Sequence, residues 1–182
     1  MALTTNKNTL DSLYKAVSSQ IKIDGKVLSS IYEIFKIETF KEINKLSRAK
    51  IEILGGDYTK NTFDESENSV FDAGNEIEIQ FSYDQKPVMV FQGIILKHSI
   101  SVSEGYLKRK TKSKMVIDCV DKAVILKNTL IDTVYTEKTD QQIINNLINN
   151  VSGLKANVES TTYQHSVLPK YNIDDWHFIL ER

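Results

Sequence analysis

Residues 71–83 read FDAGNEIEIQFSY, and the second half of that stretch decides the fold class. Ile77, Ile79, Phe81 and Tyr83 alternate with Glu76, Glu78, Gln80 and Ser82. A period of two sends successive side chains to opposite faces of a strand, so one face is buried and the other is wet. The wet row, Glu76, Glu78 and Gln80, suits a surface that lines a water-filled channel.

Working outward, the neighbouring segments also read as strands. Pro87 follows a polar turn, and Val88 to Val102 is a long apolar run carrying Gly93, the mark of a bulge or sharp bend. A loop around Gly105 leads to a return strand from about Leu107 to Val120. Upstream, Gly55-Gly56-Asp57 opens a long polar loop. Before it, residues 31–42 and 48–54 are dense in β-branched and aromatic residues and read as two strands turning near Asn44-Lys45. Ile21-Lys22-Ile23 and Val27-Leu28 flank Asp24-Gly25, a strong hairpin signal. Residues 1–20 are mostly polar, with Leu10, Leu13, Tyr14 and Val17 spaced like a short helical stripe on a polar extension.

After Leu126 the pattern changes. Thr139-Asp140 caps a helix with Ile143, Ile144, Leu147 and Ile148 on one face, ending near Gly153. A short strand is expected at 156–158. Asn172 is expected to cap a last helix with Asp174 and Asp175 in its first turn, where the helix dipole favours anions, and with Trp176, Ile179 and Leu180 as its stripe. That stripe runs to Arg182 without a cap, as in the N-terminal part of a longer protein. The sequence therefore reads as a β-rich α+β chain: an extension over 1–20, a β-barrel over 21–127 and the start of an α/β region over 128–182.

Composition narrows function. The chain has 182 residues, 41% hydrophobic and 26% charged, ordinary values for a globular protein. No window approaches 18 consecutive apolar residues, and Met1 to Gln20 holds no apolar signal-peptide core. The lone cysteine, Cys119, excludes an intrachain disulfide framework and lies in an apolar strand as a buried, inert thiol. His98, His165 and His177 lack metal-ligand spacing, and no nucleophile elbow, P-loop, H-E-x-x-H or dinucleotide fingerprint is present. Asp174 and Asp175 read as helix-turn acids rather than a catalytic pair. No enzyme activity, cofactor or metal is expected. Only 7 Gly and 2 Pro serve so many strands, so the strands should be long.

The net charge of −1 hides a segregation. From Asp64 to Asp84 there are seven acidic residues and no Lys or Arg; from Lys97 to Lys114 there are six basic residues against Glu104 alone. The basic run, Lys108, Arg109, Lys110, Lys112 and Lys114, has three readings. It blunts an edge strand, it registers a neighbouring subunit through opposite charge, or it binds nucleic acid, for which only Tyr106 supplies an interleaved aromatic.

The order of segments resembles the N-terminal region of VgrG-type spike proteins of type VI secretion systems, relatives of the hub of contractile phage tails. The resemblance rests on IETFKEINKLSRAKIEILGGD (37–57), FDAGNEIEIQFSY (71–83), VFQGIILKHSI (90–100), MVIDCVDKAV (115–124) and TTYQHSVLPKYNIDDWHFILER (161–182), in the family's order. It implies a barrel like a tail-tube subunit and then an α/β region. In the intact protein it implies a trimeric hub that joins an Hcp-like tube to the puncturing spike. The partners implied are other copies of the chain, the tube protein, baseplate components and effectors, with no nucleic acid and no stable membrane insertion. Such a protein is cytoplasmic during assembly and exported by the machine. Asp57, Gly74, Gly93, Asp118, Asp121, Asp175 and Trp176 fall on matching positions and would be architectural: Gly74 for a turn, Gly93 for a bend, Trp176 as an apolar anchor. The basic stretch 108–114 departs from the family pattern. Close alternatives are the hub of a phage tail or of an extracellular contractile particle.

Overall fold

The computed structural model describes residues 18–55, 69–83, 86–103 and 112–182. They fall into two compact units: one ends at Phe40 and resumes over Arg48–Cys119, and the other comprises Lys41–Ser47 and Val120–Arg182.

The first unit is built on β1 (Ser18–Ile23), β2 (Lys26–Val27), β3 (Glu33–Phe40), β4 (Arg48–Gly55), β5 (Glu76–Tyr83), β6 (Lys86–Ser103) and β7 (Lys112–Val120). These strands form one sheet in the order β2-β1-β5-β6-β7-β4-β3. The β1–β2 turn has positive φ at both Asp24 (48°) and Gly25 (75°), the hairpin geometry expected of Asp-Gly. Asp24 also anchors the turn to β5: its N–H donates to Glu76 O, and its carboxylate accepts from Glu76 N–H, both at 2.9 Å.

The alternation read in 76–83 sets the core. Ile77 and Ile79 are buried, as are Ile21 and Ile23 on β1, Ile51 and Ile53 on β4, Phe91 and Ile95 on β6, and Met115 and Ile117 on β7. Residues from strands far apart in the sheet order share this cluster, closed by Phe71, on which Tyr32 packs edge-on at 5.0 Å. Gly74, at φ +100° where a side chain would be strained, turns the chain into β5 and donates its N–H to Ile95 O at 2.8 Å.

Two expectations change here. Among the described residues the sheet is open, not a closed barrel: β2 and β3 stand at its ends. Closure needs a ladder between the end strands, and β2, with two residues, offers almost none. The irregularity in the β5–β6 ladder falls at Ile79/Gln80, opposite Phe91 and Met89, and not at Gly93, which pairs with Ile77. The β3–β4 connection is a seven-residue loop, 41–47, with Asn44 left-handed at φ 60°.

In the second unit, Asp121 caps a short 3-10 segment, Lys122–Asn128, by accepting from Ala123 N–H at 2.9 Å. Then follow β8 (Thr133–Thr139), α1 (Asp140–Asn149), β9 (Gln164–Lys170) and α2 (Asp175–Leu180). Thr139 caps α1 in a capping box with Gln142. Ile143 and Leu147 from α1 pack with Phe178 from α2, against Tyr135 of β8 and Leu168 of β9. The β8–β9 pair was not read from the sequence, and no strand forms at 156–158. The cap of α2 is Asp174, not Asn172, which sits at φ 51° with its N–H donated to Asp132 at 2.8 Å.

Candidate functional site

The face of the first unit's sheet turned away from the core carries a set of ion pairs on neighbouring strands. On β7, Asp118 lies 3.7 Å from Lys97 of β6 and 4.0 Å from Lys50 of β4. Lys50 stands opposite Glu38 of β3, and Glu38 holds Lys36 at 2.9 Å. Lys36 is in turn opposite Glu52, and Glu52 holds Lys114 of β7 at 3.1 Å. The hydrogen bond to Glu38 pushes the Lys36 ammonium above its usual value against the cost of burial, and the charges of Glu38 and Glu52 add to it. On the other side of the sheet order, Lys22 of β1 meets Glu78 of β5 at 3.8 Å.

Alternating signs across neighbouring strands leave little net charge on this face. Exposed pairs of this kind contribute little to stability, but they fix which neighbours a face accepts. The Glu76, Glu78 and Gln80 row shares the non-core side of β5, with Glu76 exposed and the other two half-buried. Lys114, read from the sequence as part of a free basic patch, is partnered by Glu52. Lys112 opens β7. Lys108, Arg109, Lys110 and Asp57 lie outside the described residues.

The remaining motif positions belong to the framework of their own units. Gly93 is buried between Phe91 and Ile95 on the core side of β6. In the second unit, Asp175 is buried and its Oδ1 lies 2.5 Å from Lys170 Nζ, with side-chain exposures of 7% and 1%. The contact is an ion pair without hydrogen-bond angles at that oxygen. Lys170 Nζ also donates to Ile131 O at 2.9 Å. Burial pushes the nearby Tyr135 hydroxyl up, and the charge of Asp175 adds to it. Trp176 is half-buried, and Phe178, absent from the expected stripe, takes the centre of the core at 2% exposure. The buried set is Asp175 and Phe178, and α2 begins two residues later than an Asn172 cap implies.

Among the described residues the histidines do not come together. His98 meets Phe71 O at 3.1 Å, His165 meets Asp140 at 3.0 Å and His177 meets Asp174 at 2.6 Å, three separate places. Among the described residues no group of three or more His, Cys, Asp and Glu could hold a metal. Burial, and then the charge of Asp118, pushes the Cys119 thiol up to about 12, so it stays protonated and inert.

Residues 14–182 match the family described as the Alg8 N-terminal domain. The chain belongs to that family. No curated protein matches it. Among solved structures, this Alg8 N-terminal domain resembles the E. coli c3393 protein, a component of the type VI secretion system with structural similarity to T4 bacteriophage tail proteins gp27 and gp5. The TM-score is 0.60 at 17% identity, over 87% of this chain and 41% of that one. It also resembles the 43 kDa tail protein of prophage MuSo2 from Shewanella oneidensis, with TM-score 0.61, 14% identity, and 92% and 48% of the two chains covered. The fold is thus one shared with these tail and secretion-system proteins, and the chain spans less than half the length of either relative.

Proposed function

We propose that the chain is a structural, non-enzymatic part of the hub of a contractile injection machine, of the VgrG type, working by assembly and piercing. In the whole protein three copies join an Hcp-like tube to the spike, with baseplate components and effectors as further partners. Such a protein assembles in the cytoplasm and leaves with the machine. The observation that carries the reading is the likeness, along 87% of the chain, to a type VI secretion component that itself resembles phage tail proteins. The five segments 37–57, 71–83, 90–100, 115–124 and 161–182 support the VgrG assignment in particular. Within this reading the alternating charges of the sheet's outer face, with Glu76, Glu78 and Gln80, line a wet channel that neither cationic nor anionic segments stick to. Asp57, Gly74, Gly93, Asp118, Asp121, Asp175 and Trp176 are framework positions, and the 21–127 and 128–182 segments are its β-sheet and α/β parts.

The likeness to a prophage tail protein over 92% of the chain favours a second version, the hub of a phage tail or of an extracellular particle. The two versions share one test. Mixed with an Hcp-type tube ring, the chain should co-migrate with the ring in gel filtration. Rings that elute unchanged at every mixing ratio contradict the reading.

A further inference from the structure

The turn between β1 and β2 carries a reactive linkage that the hub reading does not use. Asp24-Gly25 is the one Asp-Gly pair in the chain, and the sequence holds no Asn-Gly. Both residues are exposed, and a Cβ placed on Gly25 would meet nothing within 4 Å, so the Gly25 nitrogen stands unshielded beside the Asp24 carboxyl group. A five-membered ring can close between them. The Gly25 nitrogen attacks Asp24 Cγ; the N–Cγ bond forms, a Cγ–O bond breaks, and the amide hydrogen leaves with the carboxyl O–H as water. Water then reopens the imide. Attack at Cγ restores aspartate, whereas attack at the Asp24 main-chain carbonyl leaves the chain running through Cβ, an isoaspartyl linkage. Water is the only co-reactant, and the mass is unchanged.

The folded turn is set against that ring. Positive φ at both Asp24 (48°) and Gly25 (75°) makes it a type I′ turn, in which ψ of the first central residue is about +30°. A flat ring through Cβ, Cα, C and the next nitrogen needs ψ of an L residue near about −120°, the value of a type II′ turn. The 24–25 peptide must therefore swing most of the way round. Glu76 opposes the swing from β5: its carbonyl accepts the Asp24 N–H and its N–H donates to the Asp24 carboxylate, both at 2.9 Å. The product does not fit the same place. Its extra main-chain atom falls in a two-residue turn whose length sets the register Lys22↔Val27 and Ile23↔Lys26.

We propose that Asp24-Gly25 is a self-modifying site, an aspartyl linkage that rearranges to isoaspartyl when the turn opens, and that the Glu76 clamp is its gate. The hairpin stands at the end of the sheet and β2 is two residues long, so opening it costs few contacts beyond the clamp itself. Rearrangement is then an irreversible record of how long the end of the sheet has been open. The proposal is independent of the hub reading and stands or falls on the hairpin alone.

The test incubates the folded chain and the chain unfolded in guanidinium side by side in neutral buffer, and follows isoaspartate at position 24 by peptide mapping. The unfolded chain should accumulate it steadily, and the folded chain at least about tenfold more slowly, because the turn must first open. Asp24→Glu, which cannot form the five-membered ring, should give none at this position. Glu76→Pro removes the N–H that holds the carboxylate, at the first residue of β5, where a strand accepts proline. Folded by circular dichroism, that variant should rearrange faster than the wild type. An unfolded wild type without isoaspartate at position 24, or a folded wild type that rearranges as fast as the unfolded one, overturns the proposal. So does a folded Glu76→Pro chain that is no faster than the wild type. If that variant does not fold, the wild-type comparison decides.

Discussion

Lys170 and Asp175 place two full charges where water does not reach, and each is tolerable there only because of the other. Asp175→Ala should destabilise the protein by about 3–5 kcal/mol in urea unfolding, because it leaves the Lys170 ammonium buried and unpaired. The double variant Lys170→Met with Asp175→Leu should recover most of that loss. Equal losses in both would mean that packing, not charge, decides the site. Phe178→Ala should cost about 3–5 kcal/mol as a core truncation, with Trp176→Ala clearly less. Asp174 carries a pH dependence. Burial pushes its carboxyl up, but the backbone N–H and ring of His177, with the charges of His177 and Lys127, outweigh this and hold it below 3.8. A folded value below the unfolded one adds stability that is fully present above the unfolded value and is lost as pH falls through the folded one. Acid titration of unfolding should show a loss below about pH 4 that Asp174→Asn lacks.

At the scale of elements, β7 separates two kinds of interaction on adjacent residues. Ile117 is fully buried, and Asp118, on the opposite face, joins Lys97 and Lys50 in partial exposure. Chemical denaturation should show Ile117→Ala costing about 2–5 kcal/mol and Asp118→Ala no more than about 1. A larger loss at Asp118 would make the network a stability device, contrary to its exposed geometry. The same strands show what a sequence can carry. The buried rows of β5 and β7, the Asp24-Gly25 turn and the start of α1 were legible because each is local: alternation, a turn dipeptide, a capping box. β8 and β9 were not, because Glu137, Lys138 and Pro169 interrupt them, and only Tyr135 and Leu168 mark their inner side. The start of α2 was misread because Asn172 occupies a left-handed turn, where Asn is as much at home as at a cap. The charge network was invisible for another reason. Its members run from Lys36 to Asp118, and they meet only through the order β6-β7-β4-β3.

For the whole molecule, membership of the Alg8 N-terminal domain family and the tail-protein fold meet in one account. The chain offers a sheet with a wet, charge-balanced outer face and, in its second unit, a small core around Phe178. The histidines stand in three separate places, and the one thiol is buried and protonated. On the proposed reading the chain is an assembly part, and its activity is the complex it forms. Electron microscopy of tube rings incubated with the chain tests this most directly. The account predicts added density on one end face of the ring and none on its flank. Rings whose end faces remain bare at saturating chain would contradict it.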